Sequence, residues 1–316
     1  MLMAIFNRIV ESQYEFCTET TVIECKTNND NRIFKIADTI KIIGIRIERE
    51  LVVELSNLKK MVLCFGENEF WNIPFELLLS LSKVIKTKKN FIIMFPDKML
   101  SYDSDFQIKM VALHYTSVTI NIISESDIKF ELLLLNHFYV SPARRRFATK
   151  VSNDIVMKYD TYDFENTNTI RPNTKGSYIG FFLKTDRDID YIKLSLHGLL
   201  LFKLDSEILK YVHGKLINRK RIWTKEHNIL MHKLPICDDV LGKIMNEFID
   251  KSKIEHLYWI PFDYGVNWYD NEKRIIQINE NRYCEIEFDK PINGYVCFIG
   301  YNKMKHDNGF ATLESL

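Results

Sequence analysis

LLLLNHFYVSPARRRFA, at residues 132–148, is the stretch that decides the fold, and MVALHYTSVTINI, at residues 110–122, leads into it. The earlier stretch alternates apolar and polar residues. This predicts a long half-buried strand, because neighbouring side chains of a strand point to opposite faces. The later stretch is apolar on both faces over residues 130–140, as a central strand is. Pro142 and three arginines follow, which predicts that a helix begins there.

Strand signals dominate both halves of the chain. They are short segments rich in β-branched and aromatic residues, separated by Asp, Asn or Gly, and this spacing favours an antiparallel sandwich. Each half shows a long early hairpin, a helical insert and a closing pair of strands, which predicts two sandwiches in tandem. The remaining predicted strands lie at residues 32–36, 39–47, 51–58, 61–65, 91–95, 177–185, 191–204, 258–262, 274–278, 283–288 and 294–301.

Two helices are predicted inside this strand pattern. Residues 73–85 carry a proline in the first turn and apolar residues at helical spacing, and residues 240–249 form a short amphipathic segment. Residues 147–175 are polar and are expected to be a connection. The domain boundary is therefore placed near residues 142–160, with domains predicted at 1–145 and 146–316.

Composition limits the class of protein. The chain has 316 residues, enough for two cores of about 150 residues each. Its 43 Lys and Arg against 42 Asp and Glu give a net charge of +1, which argues against a dedicated nucleic-acid binder or a polybasic membrane protein. The first residues lack a basic segment followed by an apolar one, and no apolar run reaches about 18 residues. We expect a soluble, cytosolic protein without a signal peptide.

Motifs for catalysis or cofactor binding are not found in the sequence. It contains no G-x-S-x-G elbow and no phosphate-binding glycine loop, so neither an enzyme nor a cofactor is expected. His213, His227 and His232, followed by Asp238 and Asp239, make a zinc site conceivable, but no pair has the spacing of H-E-x-x-H, so no metal is expected. Six cysteines occur without a C-x-x-C pair and are expected to be buried free thiols: Cys17, Cys25, Cys64, Cys237, Cys284 and Cys297.

Clustered cations are the best candidates for contacts with other molecules. Arginines at a helix start commonly bridge an acidic loop or a neighbouring subunit, and a basic run around Trp223 could also contact nucleic acid. A solvated face or a subunit contact is the favoured interpretation of both clusters. The candidate subunit-contact residues are Arg144, Arg145, Arg146, Lys215, Arg219, Lys220, Arg221 and Lys225.

An aromatic cluster offers a competing function. Exposed aromatic rings on a jelly roll can form a glycan-binding face, whereas alternate rings of a strand can instead fill the core. Both interpretations apply to the cluster Tyr258, Trp259, Tyr264, Trp268 and Tyr269.

Several patches, taken in order, resemble the major capsid proteins of nucleocytoplasmic large DNA viruses. Ala112–Ile120 is similar to a strand of that family, and FYVSPARRRFA at residues 138–148 resembles its tyrosine-containing strand and arginine-rich helix start. The other patches are Tyr14-Glu15-Phe16, Ile36-Ala37-Asp38-Thr39-Ile40, Pro261-Phe262 with Gly265-Val266-Asn267-Trp268, and Tyr301-Asn302 with Asn308-Gly309-Phe310-Ala311-Thr312-Leu313.

The resemblance implies an all-β double jelly roll of two tandem eight-stranded antiparallel sandwiches. It also implies a homotrimer that forms capsomers and tiles an icosahedral shell, with itself and other capsid proteins as partners. No specific nucleic acid and no cofactor are implied, and membrane contact is indirect, through an inner viral layer. The expected location is the virion, assembled in the host cytoplasm. Because the chain is shorter than typical members, a minor capsid protein, an assembly scaffold or a jelly-roll glycan-binding module stays open as an alternative.

Overall fold

The chain divides into two compact units. Unit 1 comprises residues 1–157 and 303–314, and unit 2 comprises residues 158–302 and 315–316. No helix in the described part of the chain is long and apolar enough to cross a bilayer. The computed structural model describes residues 16–34, 37–48, 57–87, 89–95, 108–140, 142–143, 145, 152–208, 256–262, 275–279, 283–307 and 310–315.

Among the described residues, unit 1 includes the first nine strands, a short α-helix and a 3₁₀ turn. Its β-branched and aromatic residues alternate with polar ones, which places one side of each strand in the core. The elements are β1 (Phe16–Lys26), β2 (Asn31–Ile33), β3 (Thr39–Glu48), β4 (Leu58–Phe65), β5 (Asn68–Pro74), α1 (Phe75–Leu81), β6 (Lys83–Lys86), β7 (Asn90–Met94), a 3₁₀ turn (Met110–Ala112), β8 (Val118–Ser124) and β9 (Lys129–Tyr139).

These strands form two antiparallel arrays. One is a five-stranded sheet in the order β1-β9-β3-β7-β6, so the apolar strand β9 lies between two partners as the sequence predicted. The other has the order β5-β4-β8-β2. Trp71 on β5 contacts Phe95 at the end of β7 with ring centroids 6.1 Å apart, so side chains of the two arrays meet in a common core. Both rings are buried.

Unit 2 contains most of the two longest described strands, which have 19 and 24 residues. Its core consists mainly of Phe, Ile, Leu and Tyr side chains from β10 to β16, and the ring of Phe298 contacts those of both Tyr178 and Phe181. Strand β11 pairs with β14, β15 and β16, and β12 lies between β13 and β16. The strands that follow β9 are β10 (Ser152–Ile170), β11 (Gly176–Thr185), β12 (Tyr191–Leu196), β13 (Leu199–Asp205), β14 (Leu257–Pro261), β15 (Ile276–Ile278), β16 (Cys284–Asp307) and β17 (Phe310–Ser315). The first residues of β10, the last residues of β16 and all of β17 except Ser315 are assigned to unit 1.

The prediction of a polar connection at residues 147–175 was wrong, because most of that segment is strand β10. Asp163, Asn166, Asn168 and Thr169 are exposed, while Tyr159, Phe164 and Ile170 are buried. A polar outward face made the strand look like a loop. The compact units also differ from domains at 1–145 and 146–316, since unit 1 extends to residue 157 and includes residues 303–314.

Two further predictions need correction. The helix expected over residues 73–85 is limited to α1, because the apolar residues before and after it belong to strands β5 and β6. The strand expected over residues 110–122 begins only at Val118, since Met110–Ala112 forms a buried 3₁₀ turn. The helix predicted at residues 240–249 lies outside the described residues.

The cysteines in the described core are free thiols, as predicted. Cys25, Cys284 and Cys297 are buried, and Cys64 is half-buried. Desolvation raises the pKa of Cys25 to about 11 and the pKa values of Cys284 and Cys297 to about 12. Because the thiolate is the reactive form, burial and the raised pKa values make these three thiols poorly reactive in the folded protein.

Gly44 allows β3 and β7 to approach closely. It follows a bulge in β3, and a Cβ atom added there would lie 2.1 Å from the carbonyl oxygen of Ile93.

We expect Gly44→Ala to lower the free energy of unfolding by about 1–3 kcal/mol, since the backbone of β7 would have to move. Urea denaturation measures this change. Thr20→Ala, at an exposed position of β1, is the control and should change stability by less than about 0.5 kcal/mol; equal effects of the two variants would contradict the prediction.

Candidate subunit-contact surfaces

Asp38 ties together three segments of unit 1. Its side chain is only 10% exposed; one carboxylate oxygen lies 2.9 Å from Nε of Arg145, and the other accepts the backbone N–H of Tyr139 at 3.0 Å. Its own backbone N–H donates to the carbonyl of His137, and its carbonyl accepts the N–H of Val111. The end of β9, the 3₁₀ turn and the arginine segment therefore meet at this one residue.

The structure thus joins two patches that the sequence had singled out separately. Asp38 lies in the patch at residues 36–40, and Arg145 lies in the arginine run. The Arg145 side chain is 64% exposed, so it bridges the buried carboxylate while most of its surface faces solvent. This agrees with the interpretation that such arginines bridge an acidic loop. Arg144, Arg146, Lys215, Arg219, Lys220, Arg221 and Lys225 lie outside the described residues.

Asp38 should matter more to stability than Arg145. We expect Asp38→Asn to lower the free energy of unfolding by about 1.5–3 kcal/mol, because it weakens charge-assisted hydrogen bonds at a buried site. Arg145→Ala should cost less than about 1 kcal/mol, because its side chain is largely solvated. Comparing urea midpoints of the two variants tests this order, and a larger loss for Arg145→Ala would contradict it.

The polar face of β12, β13 and β16 in unit 2 carries a second charged surface. Lys193 Nζ lies 2.7 Å from a carboxylate oxygen of Glu287, and Lys203 Nζ lies 4.3 Å from the ring centre of Tyr191. The hydrogen bond from Lys193 lowers the pKa of Glu287. The hairpin tip beside this face exposes Leu199 and Leu200. Apolar side chains next to paired charges are typical of a protein contact surface.

Arg171, immediately after β10, extends this face. Its Nε donates to a carboxylate oxygen of Glu285 at 2.5 Å, and its guanidinium carbon lies 5.5 Å from the ring centre of Tyr283. Tyr283 in turn meets His197 edge-on, with centroids 5.7 Å apart. The Nε–H is one of five donors of an arginine, so Arg171 retains hydrogen-bonding capacity at the surface.

Asp186, immediately after β11, fixes the position of Asn293 in β16. Its two carboxylate oxygens accept the backbone N–H and the side-chain Nδ2–H of Asn293, at 3.1 and 2.9 Å. Partial burial raises the pKa of Asp186, but the hydrogen bonds from Arg187 and Asn293 outweigh it and lower the pKa to about 2. The Asn293 side-chain oxygen accepts the N–H of Asn166 at 2.8 Å, which holds β10 at a residue with φ of 43°.

Strand β10 borders an open depression of about 580 Å³ at this point. Asn166 interrupts the regular course of the strand, and the Thr167 hydroxyl donates to the Thr169 carbonyl at 2.8 Å. No sequence motif indicated this site. The lining residues are Tyr162, Asp163, Phe164, Glu165, Thr167, Thr169, Ile170 and Arg171.

The aromatic cluster proposed for glycan binding is partly in the core. Tyr258 and Trp259 are 5% and 4% exposed, and Trp259 packs against Phe182 with centroids 4.8 Å apart. For these two residues the core interpretation is right and the exposed glycan face is wrong. Tyr264, Trp268 and Tyr269, and the histidine and aspartate residues at positions 213–239, lie outside the described residues.

Comparison with solved structures identifies the architecture. PBCV-1 VP54 matches with a TM-score of 0.62 at 9% identity, over 95% of this chain and 97% of that one. A chain of the PBCV-1 capsid matches with 0.60 at 8% identity, over 95% and 97%, and the Faustovirus major capsid protein with 0.52 at 6%, over 91% and 90%. The chain has the double jelly-roll fold. The fold that the sequence resemblance implied is therefore confirmed. No family model and no curated protein matches the sequence of this chain.

In this double jelly roll, Asn293→Ala tests whether the Asn293 side chain lowers the pKa of Asp186. The variant removes the hydrogen bond that the Asn293 side chain donates to Asp186 and keeps the one from the Asn293 backbone, so the pKa of Asp186 should rise from about 2 towards the ordinary value of about 3.9. Because the folded pKa lies below the unfolded one, the stabilisation by Asp186 is present above about pH 4 and is lost as the pH falls towards 2. The variant should be less stable at pH 7 and lose less stability on acidification.

Carboxyl titration by NMR and urea midpoints at pH 7 and pH 3 measure both effects. Asn68→Ala, an exposed asparagine of unit 1, is the matched control and should keep the wild-type pH dependence. A pKa of Asp186 that stays near 2 in Asn293→Ala would contradict the role given to Asn293.

Proposed function

We propose that the chain is a structural capsid protein that assembles with copies of itself into the shell of a large DNA virus. The observation that carries this proposal is the fold likeness to PBCV-1 VP54, which runs through 95% of this chain and 97% of that one. A likeness in both units together supports the whole architecture rather than a single sandwich. The protein acts in the virion and is assembled in the host cytoplasm.

The physical basis of the function is a rigid subunit with weak, correctable contacts. Antiparallel sheets around apolar cores resist deformation, and the glycine contact at Gly44 shows how closely the strands pack. A net charge of +1 allows many copies to pack without strong mutual repulsion. Surfaces of paired charges, such as Lys193 with Glu287, suit reversible contacts that fix orientation.

The proposed assembly is a homotrimer that forms capsomers and tiles an icosahedral lattice. Its partners are copies of itself and other capsid proteins, and it reaches a membrane only through an inner viral layer. The proposed contact residues are the two cationic runs, Arg144–Arg146 and Lys215–Lys225. Because Arg145 is engaged by Asp38, Arg144 and Arg146 are the members of the first run to test.

Light scattering and negative-stain imaging of the purified protein test the proposal. We expect a particle with three times the 37.5 kDa mass of one chain and a hexagonal outline. A monomer under the same conditions would contradict the major-capsid role and favour the minor-capsid or assembly-scaffold alternative.

Charge reversal tests the proposed contact residues. Arg144→Glu with Arg146→Glu, or Lys220→Glu with Arg221→Glu, should shift the mass from trimer towards monomer, because a reversed charge across a contact is repulsive. Lys59→Glu is the control, since Lys59 is an exposed cation of unit 1 that pairs with Glu125 of the same chain. Trimers that survive both double variants would remove these residues from the proposed contact.

A further inference from the structure

The depression along β10 is a concave site in the described part of unit 2. It has a volume of about 580 Å³ and is lined by residues of β10 from Tyr162 to Ile170 and by Arg171, which follows the strand. This volume is within the range of small-molecule sites, about 300–1,000 Å³. The capsid role proposed above uses none of the residues between Tyr162 and Ile170.

The depression is held in shape before any ligand arrives. Asn166 adopts a φ of 43°, a left-handed conformation that asparagine tolerates better than most residues, and Asn293 accepts its N–H. The Thr169 N–H donates back to the Thr167 hydroxyl at 3.2 Å. Asp186 fixes Asn293 in turn. A site fixed in this way loses little conformational entropy on binding.

The lining combines a small apolar floor with a polar rim. Phe164 and Ile170 are 6% and 3% exposed, and Phe164 stacks on Phe288 with centroids 5.6 Å apart, which makes the floor rigid. Tyr162 is 38% exposed and offers both a ring and a hydroxyl. Threonine hydroxyls and carboxylates supply further donors and acceptors around the rim.

The charges select the class of ligand. Asp163 and Glu165 oppose the single cation Arg171, which also donates to Glu285, so the rim is negative overall. Carboxylates accept hydrogen bonds from hydroxyl groups, whereas a phosphate, sulfate or carboxylate of a ligand would be repelled. A shallow polar site with an exposed aromatic ring suits a compound that has many hydroxyls and one apolar face.

We propose that this depression binds an uncharged glycan. One sugar ring packs on Tyr162 above the floor formed by Phe164 and Ile170, and its hydroxyls donate to Asp163 and Glu165. Arg171 donates to a ring or hydroxyl oxygen. The proposal does not depend on the capsid role, since a glycan can bind to the free chain or to an assembled particle.

The test is binding of the full chain to an array that pairs neutral oligosaccharides with their sialylated and sulfated forms. The strongest neutral binder is then titrated by saturation-transfer NMR. We expect a dissociation constant on the order of 1 mM for the neutral form and at least about tenfold weaker binding of its acidic partner. Tyr162→Ala should weaken binding about tenfold or more, and Glu165→Gln should also weaken it, while Tyr162→Phe keeps the ring and should retain binding.

Tyr115→Ala is the matched control, because Tyr115 is a 73% exposed tyrosine of unit 1, and it should bind as the wild type does. Thermal melts of all variants establish that they are folded. No binding of any neutral glycan, preferential binding of acidic glycans, or equal binding by Tyr162→Ala would each overturn the proposal. A change in oligomeric mass for Tyr162→Ala without a change in glycan binding would also overturn it, and would assign the surface to contact between copies.

Discussion

A single buried carboxylate, Asp38, holds the end of the first unit together. A carboxylate away from water is unfavourable unless hydrogen bonds satisfy it, and Asp38 is satisfied by Arg145 and by the N–H of Tyr139. These partners lie more than 100 residues away along the chain, so the carboxylate can be satisfied only when β3, β9 and the arginine segment have all taken their places. Local charge satisfaction and the global arrangement of unit 1 therefore require each other.

In the second unit, the phenol of Tyr178 is the buried polar group that joins separate segments. The hydroxyl of Tyr178, which is fully buried, hydrogen-bonds to Asp160 and Thr174, and Lys158 lies 2.6 Å from the same carboxylate. Burial and the neighbouring carboxylate raise the pKa of Tyr178 strongly, so the phenol stays protonated. Each unit thus anchors a strand by a polar group in a mostly apolar core, where the partners are few and the geometry is specific.

Some of this structure could be predicted because it is encoded locally. Strands β3, β7 and β9 are rich in apolar residues that favour strands, so they can be recognised from the sequence alone. Strand β10 was missed because its exposed face is polar, so that its composition resembles a loop. The contact between Asp38 and Arg145 was not predicted; the sequence analysis only placed each residue in a separate patch that resembles the capsid family. The depression could not be found, since it depends on the φ of Asn166 and on Asn293, which is 127 residues away along the chain.

The buried thiols give the molecule a built-in reporter of its own opening. Cys25 lies in the core of unit 1, while Cys284 and Cys297 lie in that of unit 2. Their raised pKa values and burial mean that an alkylating reagent reaches them only after the surrounding strands separate. The rate at which each thiol is modified under native conditions therefore measures how often its own unit opens, without an introduced label.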